Sequence, residues 1–313
     1  MSTALVSWIS RWLPRARHRL RVLRLAFIER KLRAIYDGYR GEFDTVLHGF
    51  PARLNGGNPY PFLLQDVPLF NRPLVELVRQ TAAALGRPVR VIDVGASLGN
   101  TVLLLEEQAG AGLAGIHCVE ADADFLPLLR ANTARFPHVT IHEAMLARAP
   151  GRVAALVHNH PGTATASGAG TVAATTLDAV LLDAAPRFDV LKIDIDGSDG
   201  EALAGATCLL ARDQPAVIFE WHPALLRGAG NDPHVAFATL QAAGYARLLW
   251  FRNDGPFSHF SGPADPEIGR WFDYLLAMQP HGDPHFDIVA LPPHLETLAF
   301  PLASLGTLRA PGS

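Results

Sequence analysis

Val91-Ile92-Asp93-Val94-Gly95-Ala96-Ser97-Leu98-Gly99-Asn100-Thr101 decides how the chain folds. An apolar run breaks into a glycine-bearing turn and continues as Val102-Leu103-Leu104-Leu105, which predicts a buried strand, a tight loop and the first turn of a helix. Glycines at such a junction let backbone N–H groups approach a ligand, and the helix N-terminus behind them favours polar or anionic groups. A nucleotide-like cofactor fits there. A dinucleotide fingerprint requires G-x-G-x-x-G, whereas here the glycines are Gly95 and Gly99, with Asp93 two residues before the first. A carboxylate at Asp93 suits an ammonium or an ordered water beside the cofactor, hence a zwitterionic amino-acid tail rather than a pyrophosphate.

The next apolar run, Gly115-Ile116-His117-Cys118-Val119, ends in Glu120-Ala121-Asp122. An acid at the tip of the second strand, 21 residues past Gly99, is placed to accept hydrogen bonds from a ribose diol. A strand-terminal acid alone reads more simply as a cap. Its pairing with the Asp93–Gly99 turn favours the ribose.

Outward from this pair, Pro73–Leu85 reads as a helix closed by Gly86-Arg87-Pro88. Helical periods at Thr101–Gln108 and Phe125–Ala134 alternate with apolar runs at Ile116–Val119 and Val139–Ile141, which predicts a parallel sheet with helices on both faces. Ligands of such sheets bind at the carboxyl ends of the strands, where Asp93, Glu120 and Glu143 fall. Further strands are expected at Arg152–His158, around Lys192 and Glu220, at Tyr245–Phe251 and at Phe286–Leu291, with a helix over Pro233–Gly244. Residues 37–75 read as a turn-rich segment that caps the cofactor or lines the substrate mouth, and Asn159–Gly170 as a mobile polar loop. Residues 253–285, rich in Phe, His, Trp and Tyr, read as an irregular substrate cover, and Ala310–Ser313 as a frayed end.

With 313 residues, 49% of them apolar, the chain can bury a full core. No run of 18 apolar residues appears, so no membrane-spanning helix is expected. Cys118 and Cys208 both sit in apolar segments, which points to interior thiols in a reducing compartment, with no disulfide framework and no metal cluster. The formal charge of −3 hides an asymmetry: residues 1–33 carry nine Arg or Lys against Glu29 alone, a net of +8, and the remainder is −11. From Trp8 to Tyr36, Trp8, Trp12, Leu20, Leu23 and Phe27 alternate with arginines at helical spacing, interrupted by Pro14. Two readings stand: a helix that lies on a membrane surface or docks a partner through residues 8–35, and a helix that packs on its own domain with solvated arginines. It makes a poor signal peptide. No basic stripe suggests nucleic acid.

Acids recur at two later strand ends, in Leu191-Lys192-Ile193-Asp194-Ile195-Asp196-Gly197 and Phe219-Glu220-Trp221-His222-Pro223. Alternation places Lys192, Asp194 and Asp196 on one side of an extended strand. Lys192, one of only two lysines, is read equally as a catalytic ammonium and as half of an internal salt bridge. His222 is the candidate general base by its ordinary pKa, and also a plain structural hydrogen-bonder. His158 and His160 share i,i+2 spacing, as a metal pair would, but no further cluster completes a site, and solvated loop histidines are the simpler reading.

These segments together resemble the FkbM-type S-adenosylmethionine-dependent methyltransferases over roughly residues 88–250. The matching residues are Val91-Ile92-Asp93-Val94-Gly95-Ala96-x-x-Gly99, then Val119-Glu120, Leu128-Leu129-x-x-Asn132 and Thr176-Leu177-Asp178. The most diagnostic are Leu191-Lys192-Ile193-Asp194-Ile195-Asp196-Gly197 and Leu203-x-Gly205-Ala206. The family commonly has Glu-Pro at Glu120-Ala121 and Glu at Asp196 and Asp199. The resemblance implies a class I methyltransferase fold, a Rossmann-like α/β architecture with a mostly parallel sheet and helices on both faces, here preceded by a helical N-terminal extension. It implies S-adenosylmethionine as cofactor, with Asp93, Gly95 and Gly99 around the methionine moiety and Glu120 on the ribose, and methyl transfer to a hydroxyl of a sugar, glycan or secondary metabolite.

The candidate cofactor set is Asp93, Gly95, Ala96, Ser97, Gly99, Glu120, Ala121, Asp122 and Glu143. The catalytic candidates are His222 or Asp194 as base, with Lys192 and Glu220 positioning the acceptor; no resident metal is expected. The organisation reads as a basic helix (1–36), a helical and turn-rich cap (37–87), a cofactor-binding core (88–252) and an aromatic insertion with the last strand (253–313). The expected setting is cytoplasmic, with membrane contact confined to the leader. A nicotinamide-dependent oxidoreductase is disfavoured by the missing G-x-G-x-x-G, and a catalytically silent scaffold working through its leader is the alternative.

Overall fold

The computed structural model describes residues 2–22, 26–160, 163–184, 186–298 and 300. The leader forms two helices, α1 (Thr3–Val22) and α2 (Ala26–Asp37), and Pro14 lies inside α1. Val6, Ile9, Leu13, Ala16 and Leu20 recur at helical spacing on the face of α1 that is buried. They join a core with Tyr36, Phe43, Leu54, Phe62, Leu103 and Leu128, so the leader packs on the body of the protein.

A hairpin follows, β1 (Glu42–Leu47) paired antiparallel with β2 (Phe50–Asn55), then α3 (Tyr60–Asp66) and α4 (Arg72–Leu85). The expectation of turns over 37–75 is corrected here. Glu42–Leu47 alternates exposed and buried residues as a one-sided strand does, and His48-Gly49, both at positive φ, supply its turn.

The sheet begins at β3 (Val89–Val94), after which α5 (Asn100–Ala109), β4 (Leu113–Glu120), α6 (Leu126–Thr133) and β5 (Val139–Glu143) alternate as expected. A second hairpin, β6 (Gly151–His160) with β7 (Thr163–Ala174), replaces the expected mobile loop at Asn159–Gly170. Small residues concealed that strand, because Gly, Ala, Ser and Thr give little apolar contrast between its faces. Residues 161 and 162 lie outside the described residues, as do the side chains of Asn159, His160, Thr163 and 167–169.

Then come α7 (Leu177–Leu181), β8 (Val190–Ile193), α8 (Asp199–Ala204), α9 (Thr207–Asp213), β9 (Ala216–Trp221), α10 (Pro223–Ala229) and α11 (Val235–Ala242). The chain continues through β10 (Arg247–Arg252), β11 (Phe257–Ser261), α12 (Glu267–Met278) and β12 (Phe286–Leu291). Residues 253–285 are therefore not irregular. Ile268 and Leu275 of α12 are buried, Trp271 and Phe272 pack against the same core, and α12 lies on α10. The tail from 301 onward, including Ala310–Ser313, lies outside the described residues.

The eight-stranded sheet has the order β11-β10-β12-β9-β8-β3-β4-β5. Strands β5, β4, β3, β8 and β9 run parallel, and β12 enters antiparallel between β9 and β10. The central strands β3, β8 and β9 are buried almost throughout, which explains their unbroken apolar runs. The order reverses at β3, between β8 and β4, and opens a crevice at the carboxyl ends of these strands. Cys118 is buried in β4, but Cys208 is exposed on α9, contrary to the expectation of two interior thiols, because α9 turns Leu209 and Leu210 inward instead. Among the described residues no helix is long and apolar enough to cross a membrane.

Candidate active site

The crevice holds a cavity of about 270 Å³ whose floor is the glycine turn after β3. Gly95 has φ +75°, and a Cβ there would lie 1.9 Å from the Asp194 carbonyl oxygen, so only glycine lets β3 and β8 part at this point. Ser97 also has positive φ, and Gly99, at φ +83°, caps α5. Gly95, Ser97, Glu120, Ala121, Lys192 and Asp194 all line the cavity; Ala96 is buried behind the turn.

Glu120 is almost fully buried, and three backbone N–H groups donate to it: Ser97 at 2.6 Å, Ala121 at 2.9 Å and Asp122 at 2.8 Å. Burial still holds its pKa above the ordinary carboxylate value, although those donors pull it down. A carboxylate offers about four lone-pair sites. Two of the three donors share Oε1, so Oε2, bonded only to Ser97, keeps a site for a hydroxyl donor from the cavity.

Asp93 is fully buried, and its carboxylate meets Lys192 Nζ at 2.8 Å. The ammonium that the sequence pattern called for is therefore the chain's own. Lys192 Nζ also donates to the carbonyls of Val94 (3.2 Å) and Gly95 (2.9 Å), and Asp194 lies 3.7 Å away. Burial disfavours the charged amine, but Asp93 and Asp194 outweigh it and raise its pKa. The ion pair with Asp93 and the hydrogen bonds to two carbonyls make this cation a fastener of the strand ends.

The extended strand ends at Ile193, and the alternation expected through Asp196 stops there, because Asp196 takes φ +52°. Asp194 and Asp196 nevertheless both line the cavity. Asp194 is about half exposed, and its backbone N–H donates to Val94. Burial, reinforced by Asp194 and Asp199, pushes the Asp196 carboxyl up to about 7. That value suits proton transfer near neutrality, and the sequence had not singled out Asp196 for that role.

The remaining candidates sit apart from the cavity lining. Asp122 is buried, and its carboxylate takes His158 Nε2 at 2.6 Å, which pins β6 to the loop after β4. Glu143 projects to the surface near Arg130. His222 is buried at the start of α10: Leu225 N–H donates to its Nδ1 at 3.4 Å, and its Nε2 lies 2.8 Å from Asp283. Both ring nitrogens are engaged, which leaves no lone pair for a substrate proton. Glu220 meets His285 Nε2 at 3.3 Å, and burial among Asp194, Asp199, Asp196 and Asp287 drives its pKa well up.

His222, Asp283 and His285 bring ligand-capable atoms within 4.8 Å of one another. The two imidazoles are stacked at 4.5 Å and 17°, however, so their in-plane lone pairs run side by side and do not converge on one ion. His158, expected as a solvated loop histidine, lies in β6 and meets Asp122, and the His160 side chain is outside the described residues.

Other lining residues come from the segment 37–75, which reads from the sequence as a cap, and from the second hairpin, part of which reads as a mobile loop. Asn58, Pro59, Tyr60, Leu63, Phe70 and Asn71 close the cavity from the cap, and Leu156, Ala164 and Ala166 from the β6–β7 hairpin. Tyr60 OH is 3.1 Å from His48 Nε2, and burial pushes its pKa up to about 12. Phe125, Ala144, Met145 and Leu146 give an apolar wall beyond Glu120. No residue of 253–285 lines the cavity, so that segment is no cover for it: Trp271 and Phe272 pack against the core, and Phe260 and Tyr274 are exposed.

A methyltransferase FkbM domain model matches residues 38–246, which takes in the β1–β2 hairpin, the cap and the cavity-bearing strands. No curated protein matches the chain. Among solved structures, methyltransferase FkbM from Methylobacillus flagellatus KT is 16% identical with a TM-score of 0.42. The match covers 64% of this chain and 43% of that one, so the chain spans less than half of that protein's length. The O-methyltransferase from Bacillus cereus in complex with SAH is 13% identical, with a TM-score of 0.37 over 70% of this chain and 80% of that one. The plantazolicin methyltransferase BamL is 10% identical, with a TM-score of 0.41 over 74% and 88%. Because the FkbM domain model matches well over half of its residues, the chain belongs to the FkbM methyltransferase family.

Proposed function

We propose that this chain transfers a methyl group from S-adenosylmethionine to a hydroxyl group of a sugar, glycan or secondary metabolite. The observation that carries this reading is a single cavity with two chemically distinct walls: the Gly95–Ser97 turn with Glu120 on one side, and Asp194 with Asp196 on the other. The residues fit the cofactor. Gly95 keeps the floor free of a side chain, the spare Oε2 site of Glu120 suits a ribose hydroxyl, and Phe125 with Ala144, Met145 and Leu146 suits a purine face. When bound, S-adenosylmethionine supplies a sulfonium methyl as the electrophile.

The chain's part is to align the acceptor oxygen and to take its proton. As the oxygen–carbon bond forms and the carbon–sulfur bond breaks, the hydroxyl proton passes to a carboxylate. Asp194 and Asp196 are the carboxylates that line the cavity on that side. Lys192 and Asp93 hold the strand ends in register beneath them, and His222 and Glu220 stand behind with their own partners.

Calorimetric titration with S-adenosylmethionine and S-adenosylhomocysteine tests the cofactor half, with NADH as control. Binding of both, and not of NADH, is expected, weakened about 10-fold or more in Glu120→Gln. A folded protein that binds neither would overturn the reading in favour of a silent scaffold. Release of S-adenosylhomocysteine in the presence of glycan and polyketide hydroxyls tests the acceptor half. Turnover that persists undiminished in both Asp194→Asn and Asp196→Asn would remove the carboxylates from the mechanism.

A further inference from the structure

The inward face of α1 accounts for one half of its amphipathic pattern. A second stripe on the same helix, Leu5, Trp8, Arg11, Trp12, Arg15 and Arg19, is exposed. Leu5, Trp8 and Trp12 keep 39%, 45% and 39% of their surface in water, and the two indoles stack on each other at 4.8 Å. Large apolar side chains grouped in this way are uncommon on a free surface. The cations are equally unspent: Arg11 and Arg15 reach only backbone carbonyls, and neither they nor Arg19 pairs with an acidic side chain among the described residues. By contrast Arg17, on the inward flank, is bound by Glu29 and Asp66.

We propose that this stripe docks on an anionic lipid bilayer, with Trp8 and Trp12 seated at the headgroup level and Arg11, Arg15 and Arg19 on lipid phosphates. Indoles prefer that depth because the ring is apolar and its N–H is wet, and arginines take phosphate oxygens beside them. The net of +8 over residues 1–33, against −11 for the rest, orients the molecule with its leader toward the negative surface and its body away. Because Val6, Ile9, Leu13 and Leu20 remain packed inward, the helix docks without leaving the fold.

Co-sedimentation of the full chain with vesicles tests this. Binding is expected to phosphatidylcholine vesicles holding about 30 mol% phosphatidylglycerol, and not to pure phosphatidylcholine. It should be lost as salt is raised to about 0.5 M, where the Debye length falls to a few ångströms. Neutralising Arg11, Arg15 and Arg19 together to Gln should lower partitioning about 100-fold. Trp8→Ala with Trp12→Ala should lower it about 10-fold or more. All five substituted positions face solvent, so melting temperatures should stay at the wild-type value, and that measurement separates lost docking from lost fold. Absence of binding by the folded wild type, or binding untouched in both variants, would overturn the proposal. So would a dimer in light scattering that Trp8→Ala/Trp12→Ala dissolves while vesicles stay unbound, because the stripe would then meet a second copy.

Discussion

Lys192 carries the most concentrated set of interactions of any residue at the site, and its removal has a defined cost. Lys192→Met leaves Asp93 fully buried with no cation, a situation that destabilises by about 3–5 kcal/mol. The double variant Asp93→Leu/Lys192→Met, which removes both charges, should regain most of that in urea unfolding. A double variant as unstable as the single one would show that the backbone contacts of Lys192, not the ion pair, matter. The residues readable from spacing alone are those the turn dictates: Asp93, Gly95, Gly99 and Glu120 stand at fixed distances from a strand end, and the structure brings Gly95 and Glu120 to the cavity. Asp196 and Tyr60 were not readable. The first depends on a left-handed backbone that breaks strand alternation, and the second on a cap folded back over the sheet. If Asp196 takes the acceptor's proton, kcat/KM should climb through about pH 7 as its carboxyl ionises, and Asp196→Asn should flatten that limb and cost 10²–10⁴-fold, an order-of-magnitude expectation for a general base.

At the scale of elements, the hairpin β1–β2 shares the core of α1, α5 and α6, and one buried side chain fixes its backbone to the glycine turn. Asn132 Oδ1 accepts from Arg53 N–H at 2.7 Å, while its Nδ2 donates to the Arg53 carbonyl at 2.9 Å and to the Leu98 carbonyl at 2.8 Å. A single buried amide thus ties the cap, α6 and the glycine turn together. Asn132→Ala orphans three backbone groups and should cost about 2–4 kcal/mol, with weaker S-adenosylhomocysteine binding because the Leu98 loop is released. Unchanged urea midpoint and affinity would show that water replaces the amide. Asn132 stood in the sequence only as part of a resemblance, since no local pattern announces a contact across 79 residues. The same division holds for whole elements. Strands β3, β4, β8, β9 and β12 were legible because burial on both faces makes continuous apolar runs. The first hairpin was not, for its exposed alternate residues, and of the second only β6 was, because small residues hid β7.

For the whole molecule, the crowding of acids at the carboxyl edge sets how stability responds to pH. Around Asp194, burial pushes Asp196 and Asp199 up to about 7 and Asp287 up to about 8, and it raises Glu220 as well. Each binds its proton more tightly folded than unfolded, where the ordinary aspartate value is 3.8, so each withdraws stability as pH rises from near 4 through its folded pKa. His285 and His117 act in the opposite sense. Burial lowers both to about 4 from 6.5, so their stabilising contribution is gained as pH rises across that interval and is complete above it. Between pH 4 and 6.5 the two groups oppose each other, and above 6.5 only the acids still titrate. The melting temperature of the ligand-free protein should therefore fall from about pH 6.5 to 8.5. Asp287 faces Glu220 directly across β9 and β12, a like-charged pair that worsens as both ionise, so Asp287→Asn should flatten the fall more than a change at an exposed acid such as Asp44. A melting temperature that stays constant across that interval would mean that these carboxyls are already ionised at pH 6.5, held by a cation that dialysis against a chelator would then remove.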